Sequence, residues 1–240
     1  MTKKSAPFRF KQFTVQQERA AMKVGFDGIL LGAWTTIGTS TRILDVGTGT
    51  GLVALMLAQR SDESVFIDAI EIDSDTCEEA RLNTVRSPWS NRVVVECVSF
   101  QDFQPGTVKY DLVVCNPPYF DSHSGSEPLR AAARQNTALS LGELFDNAKR
   151  CLDERHGRLS MVYPMGRSNE SIAEATCFGF HPQRQLLIRS LPSKPFHRVM
   201  LEFGRKAVEC IETEELTIEK AHHVYTEEFK QLARDFYLAF

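Results

Sequence analysis

The stretch Ile43-Leu44-Asp45-Val46-Gly47-Thr48-Gly49-Thr50-Gly51 decides the fold. It carries a short apolar strand, Arg42 to Val46, through a glycine-rich turn into an apolar helix, Gly51 to Arg60. Such a turn lets backbone approach a ligand closely at the carboxyl end of a strand, where open α/β sheets bind ligands. The spacing narrows the choice of ligand. A dinucleotide fingerprint runs Gly-x-Gly-x-x-Gly, but here the third glycine comes one residue early and Leu52 holds its place. Asp45, just before the first glycine, would sit badly beside a pyrophosphate. It suits an ammonium or sulfonium cation.

Outward from this turn, strands and helices alternate. Strands are expected at 65–71, 92–98, 110–115, 156–163, 183–191 and 198–203, with helices at 74–86, 140–152 and 166–178. The apolar face of 140–152 (Leu141, Leu144, Phe145, Ala148, Leu152) follows helical spacing, and Ser140 with Glu143 makes a capping box. Upstream, Asp27 to Trp34 reads as a short helix with Asp27 as its N-cap. The alternation predicts a doubly wound α/β fold with a mostly parallel, seven-stranded sheet. The short final connection makes the last of the seven strands antiparallel. No repeat or linker divides the 240 residues, so a single domain is expected.

Composition is that of an ordinary soluble protein, 42% hydrophobic and 25% charged, and no apolar run reaches membrane-spanning length. The basic N-terminus lacks a signal-peptide core. Six cysteines without a Cys-x-x-Cys pair argue against zinc or a disulfide framework, and predict buried, reduced thiols in a cytoplasmic protein with no metal. The net charge of −3 hides two basic segments, residues 1–25 and 181–206. They form a polyanion-facing surface if the fold joins them, and ordinary solvated charge if it does not.

A second motif ends the 110–115 strand: Asn116-Pro117-Pro118-Tyr119. Two prolines cannot continue a central strand, and they hold the preceding residues extended. Asn116 is thus presented on stiff backbone at the strand's mouth. An exocyclic or amide nitrogen is a poor nucleophile because its lone pair is delocalised. Two acceptors holding its hydrogens localise that pair, and the Asn116 side-chain oxygen and the Pro117 carbonyl can supply them. Tyr119 offers a ring face for a planar substrate. The motif by itself admits adenine N6, guanine N2, cytosine N4 or glutamine N5.

Asp45, the three glycines and Glu71 at the end of the next strand together resemble the S-adenosyl-L-methionine (SAM) site of class I methyltransferases. Asn116 to Tyr119 resembles the (Asp/Asn/Ser)-Pro-Pro-(Tyr/Phe) signature of amino-group methyltransferases. Nearly the whole chain is similar to the bacterial tRNA1(Val) adenine-37 N6-methyltransferase family. The resemblance is carried by Phe8-Arg-Phe-Lys-Gln-Phe13, Ala21-Met-Lys-Val-Gly-Phe-Asp-Gly-Ile-Leu-Leu-Gly-Ala-Trp34, the glycine turn, Ser87-Pro-Trp89, the Asn116 motif, Ala133-Arg134 and His197-Arg-Val-Met-Leu-Glu-Phe203.

That resemblance implies a SAM-dependent enzyme acting on the anticodon stem-loop of a tRNA, with residues 1–40 covering cofactor and substrate. It puts Lys23, Asp27, Asp45, Gly47, Thr48, Gly49, Gly51, Glu71, Ile72, Ser99, Phe100 and Asn116 around the cofactor. Asn116, Pro117, Pro118 and Tyr119 are the catalytic set. Arg130, Arg134, Lys194 and Arg198 are candidates for tRNA phosphates. Two positions depart from the family: Phe26 stands where it has Thr, and its adenine-binding Asp falls on Ser99. Either Ser99 meets the cofactor's adenine amine or the loop shifts and Asp102 serves. The rivals are guanine N2 or glutamine N5 transfer, and an RNA-binding module that keeps the fold without catalysis. Glutamine methyltransferases carry a helical domain ahead of the glycine turn, where only about 40 residues stand here, and that weighs against them.

Overall fold

Neighbouring residues of a strand face opposite sides of its sheet, and here the sequence supplies apolar side chains to both sides. In the computed structural model, which describes residues 6–20, 22–117 and 139–240, Ile43 joins one buried cluster while Leu44 and Val46 join another. Small antiparallel strands β1 (Phe8–Arg9) and β2 (Thr14–Val15) open the chain. The sheet itself starts at β3 (Arg42–Val46), which pairs in parallel with β4 (Phe66–Glu71), and β4 with β5 (Val93–Cys97). On the other side of β3 lie β6 (Leu112–Cys115) and then β7 (Arg158–Pro164), also parallel. β9 (Arg198–Gly204) runs antiparallel between β7 and β8 (His181–Arg189).

All seven expected strands are present, the last of them antiparallel. The sheet nonetheless has eight strands, because β10 (Glu212–Thr217) adds to β8 in parallel. Its sequence, Glu-Thr-Glu-Glu-Leu-Thr, is mostly exposed and buries only Leu216. Charges on an outermost strand discourage pairing with another chain, and they also remove the alternation by which a strand is recognised. Beyond it, β11 (Glu219–Ala221) and β12 (Val224–Tyr225) form a hairpin.

Helices cover both faces. α1 (Phe26–Trp34), α2 (Leu52–Arg60) and α3 (Ser74–Val85) pack on one side, and α4 (Leu141–Cys151) and α5 (Ser168–Cys177) on the other. The last helix, α6 (Glu227–Ala233), joins the first cluster through Phe229 and Ala233. The capping box at Ser140 and Glu143 is formed as expected. Asp27, expected as an N-cap, is not one: Gly25 occupies that position in extended conformation without a side-chain cap, and Asp27 lies in the first turn. Its carboxylate is drawn instead to Arg198 Nε at 3.0 Å.

Two further expectations change. Three cysteines are buried (Cys77, Cys115, Cys151), but Cys97, Cys177 and Cys210 are exposed. The basic segment 181–206 is divided by its own fold, since β8 and β9 form an antiparallel pair. Arg184 stacks on Trp34 at 4.3 Å beside Glu214 and Arg205 lies over Phe180, whereas Lys194 and Arg198 lie at or beside the opposite end of this pair. Among the described residues, no helix is long and apolar enough to cross a membrane.

Candidate active site

The strand order reverses at β3, with β4 on one flank and β6 on the other, and ligands of open α/β sheets bind at such a switch point. A cleft of about 920 Å³ lies there, against the carboxyl ends of β3, β4, β5 and β6. The glycine turn forms its floor. Gly47, Gly49 and Gly51 have φ of 67°, 58° and 83°, left-handed values that a side chain resists. A Cβ at Gly47 or Gly49 would meet nothing within 4 Å. Backbone conformation, rather than crowding, therefore demands glycine there, and room is left above both.

Asp45 lines the cleft yet is only 1% exposed. Its Oδ2 accepts from Thr48 Oγ1 at 2.6 Å and from the Ala54 amide at 3.1 Å. Burial outweighs these bonds and pushes the carboxyl up to about 6. Glu71 ends β4. Its Oε2 accepts from the Gly49 amide and its Oε1 from the Asp73 amide, both at 3.0 Å, which leaves lone pairs on each oxygen. Ile72, Ser99 and Phe100 line the cleft beyond it. Ser99 donates to Asp102 Oδ2 at 2.7 Å and accepts from the Asp102 amide at 3.1 Å. Ser99 thus lies on the cleft, and Asp102 holds its hydroxyl.

After β6, half-buried Asn116 and buried Pro117 line the cleft beside the glycine turn, since Cys115 before them pairs with Val46 of β3. Burial, and then the charge of Asp45, push the Cys115 thiol up, so it stays neutral. Pro118, Tyr119, Arg130 and Arg134 lie outside the described residues.

The N-terminal segment supplies the remaining wall. Lys23 and Asp27 line the cleft, but the Lys23 ammonium donates to the carbonyls of Gln17 (2.5 Å), Ala20 (2.8 Å) and Glu18 (3.4 Å). Phe26 packs its edge toward Tyr225 and Phe229, at 6.3 and 5.7 Å, an aromatic environment that accounts for Phe where relatives were expected to carry Thr. Arg198 is tied to Asp27, and Lys194 is exposed in the link between β8 and β9. His197 also lines the cleft, and burial followed by the Arg198 cation hold its imidazole below the usual range. Gly51 stands at the start of α2, behind the floor rather than on it.

Sequence reading overlooked Ser190, Ile188, Ile218 and Glu219 on the cleft's far wall, and Glu79 and Asn83 behind it. The last two carry no signal in sequence and show only once the fold is known. α3 buries Thr76, Cys77, Glu79, Ala80, Asn83 and Thr84, a face too polar to be held by apolar packing alone.

Comparison with known proteins agrees with this geometry. The methyltransferase small domain family matches residues 28–179. A predicted O-methyltransferase from Agrobacterium tumefaciens shares the fold, with a TM-score of 0.67 at 20% identity over 88% of this chain and 96% of that one. Fold and site thus define a SAM-dependent methyltransferase of class I. Two curated relatives, from Bacteroides fragilis (strain YCH46) and Trichodesmium erythraeum (strain IMS101), are named tRNA1(Val) (adenine(37)-N6)-methyltransferase. They are 45% and 44% identical, over 96% and 97% of this chain and 97% and 98% of their own lengths. The chain belongs to the tRNA1(Val) (adenine(37)-N6)-methyltransferase family. Its cleft suits the cofactor of that class, with a buried carboxylate for a cation, open room over Gly47 and Gly49, and spare acceptors on Glu71 for hydroxyls. Among the described residues no group of His, Cys, Asp and Glu could hold a metal ion.

Proposed function

We propose that the chain methylates N6 of adenine 37 in the anticodon loop of tRNA1(Val). When bound, SAM supplies an electrophilic methyl group on a sulfonium sulfur. The residues of the cleft then divide the work of holding it. Asp45 offsets the cofactor's positive charge, and Glu71 accepts from its ribose hydroxyls. Ile72 and Phe100 clamp the adenine ring, with Ser99, fixed by Asp102, at its amine. Gly47, Thr48 and Gly49 shape the floor, Gly51 behind it turns the chain into α2, and Lys23 and Asp27 close the methionine end.

Asn116 Oδ1 and the Pro117 carbonyl accept the two amine hydrogens, so the nitrogen lone pair faces the methyl group. Holding nucleophile and methyl in line lowers much of the barrier without a strong base or a covalent intermediate. Pro118 stiffens the elbow, and Tyr119 stacks the base. A base in an anticodon loop is already unpaired, so turning it into the cleft costs less than extracting it from a duplex. Arg130, Arg134, Lys194 and Arg198 meet phosphates of the stem-loop. The whole chain acts as one domain, with residues 1–40 as its cover, and a tRNA substrate implies a cytoplasmic enzyme.

The observation that carries this reading is the cleft itself, which Asn116 and Pro117 line together with the glycine floor and Asp45, at the ends of the adjacent strands β6 and β3. The test is nucleoside analysis of tRNA1(Val) after incubation with purified enzyme and SAM. N6-methyladenosine at position 37 is expected. N2-methylguanosine would move the target to guanine, and RNA binding with no methyl transfer would leave only a binding module.

A further inference from the structure

Two polar side chains outside the proposed chemistry are more deeply buried than any core argument requires. Glu79 and Asn83, one turn apart on α3, are 3% and 1% exposed. Both face the N-terminal segment. Glu79 Oε1 accepts from the amides of Glu18 (2.6 Å) and Arg19 (3.0 Å), and Oε2 from those of Arg19 (3.2 Å) and Ala20 (2.8 Å). Three successive amides converging on one carboxylate form an anion nest made of this chain's own backbone. Two of the same peptides also face Lys23, whose ammonium takes the carbonyls of Gln17 and Glu18, and beyond them that of Ala20. The 17–18 and 18–19 peptides thus lie between an anion and a cation, with N–H groups toward α3 and carbonyls toward the cleft-lining lysine.

Asn83 extends the clamp to the cleft floor. Its Oδ1 accepts from the Gln16 amide (2.8 Å), while Nδ2 donates to the carbonyls of Gln16 and Thr50, both 2.9 Å. Thr50 belongs to the glycine turn. One asparagine therefore sets the distance between the N-terminal wall of the cleft, which includes Ala20, Val24 and Gly25, and its glycine floor.

We propose that Glu79 and Asn83 are positioning residues for the cofactor: from α3 they fix the N-terminal wall against the glycine turn, so that the cleft is formed before SAM arrives. This deepens the proposed function and rests on its placement of SAM in this cleft. Glutamine at 79 keeps one acceptor oxygen but turns an NH2 donor toward amides that also donate, so the nest cannot reform. Aspartate keeps the charge on a shorter arm. Aspartate at 83 loses both donated bonds and faces two carbonyls with a carboxylate.

The experiment pairs equilibrium SAM binding with amide hydrogen exchange, well below the melting temperature, on wild type, Glu79→Gln, Glu79→Asp and Asn83→Asp. In Glu79→Gln, exchange at Glu18, Arg19 and Ala20 should accelerate at least tenfold, with α2 and α4 unchanged, and SAM affinity should fall at least tenfold. Glu79→Asp should recover part of both effects, and Asn83→Asp should weaken SAM in the same way. SAM affinity within twofold of wild type despite opened amides would make Glu79 merely structural and overturn the proposal, as would unchanged exchange. Should the variants fail to fold, wild type decides: SAM must slow exchange at residues 18–20, and no change there sinks the idea. A wild type that binds no SAM defeats the reading of the cleft itself, whereas one that binds SAM but methylates no tRNA1(Val) defeats only the substrate.

Discussion

Replacing Asp45 by Asn is expected to have two opposed effects near pH 7.5: it stabilises the ligand-free fold and weakens its hold on SAM. Burial raises the Asp45 carboxyl from the ordinary 3.8 to about 6. The folded value lies above the unfolded one. Between these values the native state keeps a proton that the unfolded chain has released, so stability falls as pH rises through that window. Above about pH 6 the ionised, buried carboxylate costs about 3 kcal/mol, and near pH 4.5 only about 1 kcal/mol. Asparagine removes this cost without breaking the local bonds, because Thr48 and Ala54 both donate to a single oxygen, Oδ2, which an amide oxygen can replace.

The ligand-free variant should therefore melt about 5 °C or more above wild type near pH 7.5, with the gain shrinking to about a third near pH 4.5. SAM affinity should fall at least about tenfold, a loss of about 1.4 kcal/mol or more, because the cation loses its counter-charge. Wild-type binding should in turn release protons near pH 6, detectable by calorimetry in buffers of different ionisation enthalpy. Thermal melts across pH, paired with SAM titrations, measure both effects. A variant no more stable than wild type near pH 7.5, or equally stabilised at both pH values, would refute the argument from buried charge. Unchanged SAM affinity would remove Asp45 from the cofactor site.

Three further outcomes follow from single contacts. Asn116→Ala should leave SAM affinity nearly intact while lowering turnover by about 100-fold, the usual loss for one oriented transition-state contact, about 3 kcal/mol; single-turnover methylation of tRNA1(Val) checks it, and normal turnover excludes the residue. Gly32→Ala would set a methyl group 2.9 Å from Met56 Cβ and Sδ where α1 crosses α2, so stability should drop by about 1–3 kcal/mol in urea unfolding. Lys194→Ala should weaken tRNA binding and lower the slope of log affinity against log salt by about 1; an unaltered slope would detach this lysine from the phosphate backbone.

How far sequence reached depended on whether a residue's role is local. The glycine turn was legible because positive φ at Gly47 and Gly49 leaves few alternatives to glycine, and a short turn after an apolar run marks a βα unit. Ser140 with Glu143 was legible for the same reason, since both partners of the capping box lie within one turn. The eighth strand was not, because at the outermost position pairing with β8, rather than an apolar face, holds Glu212 to Thr217 in place. Asp27 shows the limit at the helix start. Its type suits an N-cap, but a partner 171 positions away, Arg198, competes for the same carboxylate, and no local pattern contains that partner.

Glu79 carries the point furthest. On the surface of a helix it would count as one more solvated acid, and most glutamates are. Only three amides some 60 positions upstream, brought in by the fold, make it a buried anion with bonded oxygens. A carboxylate that deep without those donors would be strongly destabilising. The N-terminal segment and α3 are thus coupled: neither the nest nor the buried charge is stable alone, and a mutation in either should disturb the cleft wall that both support.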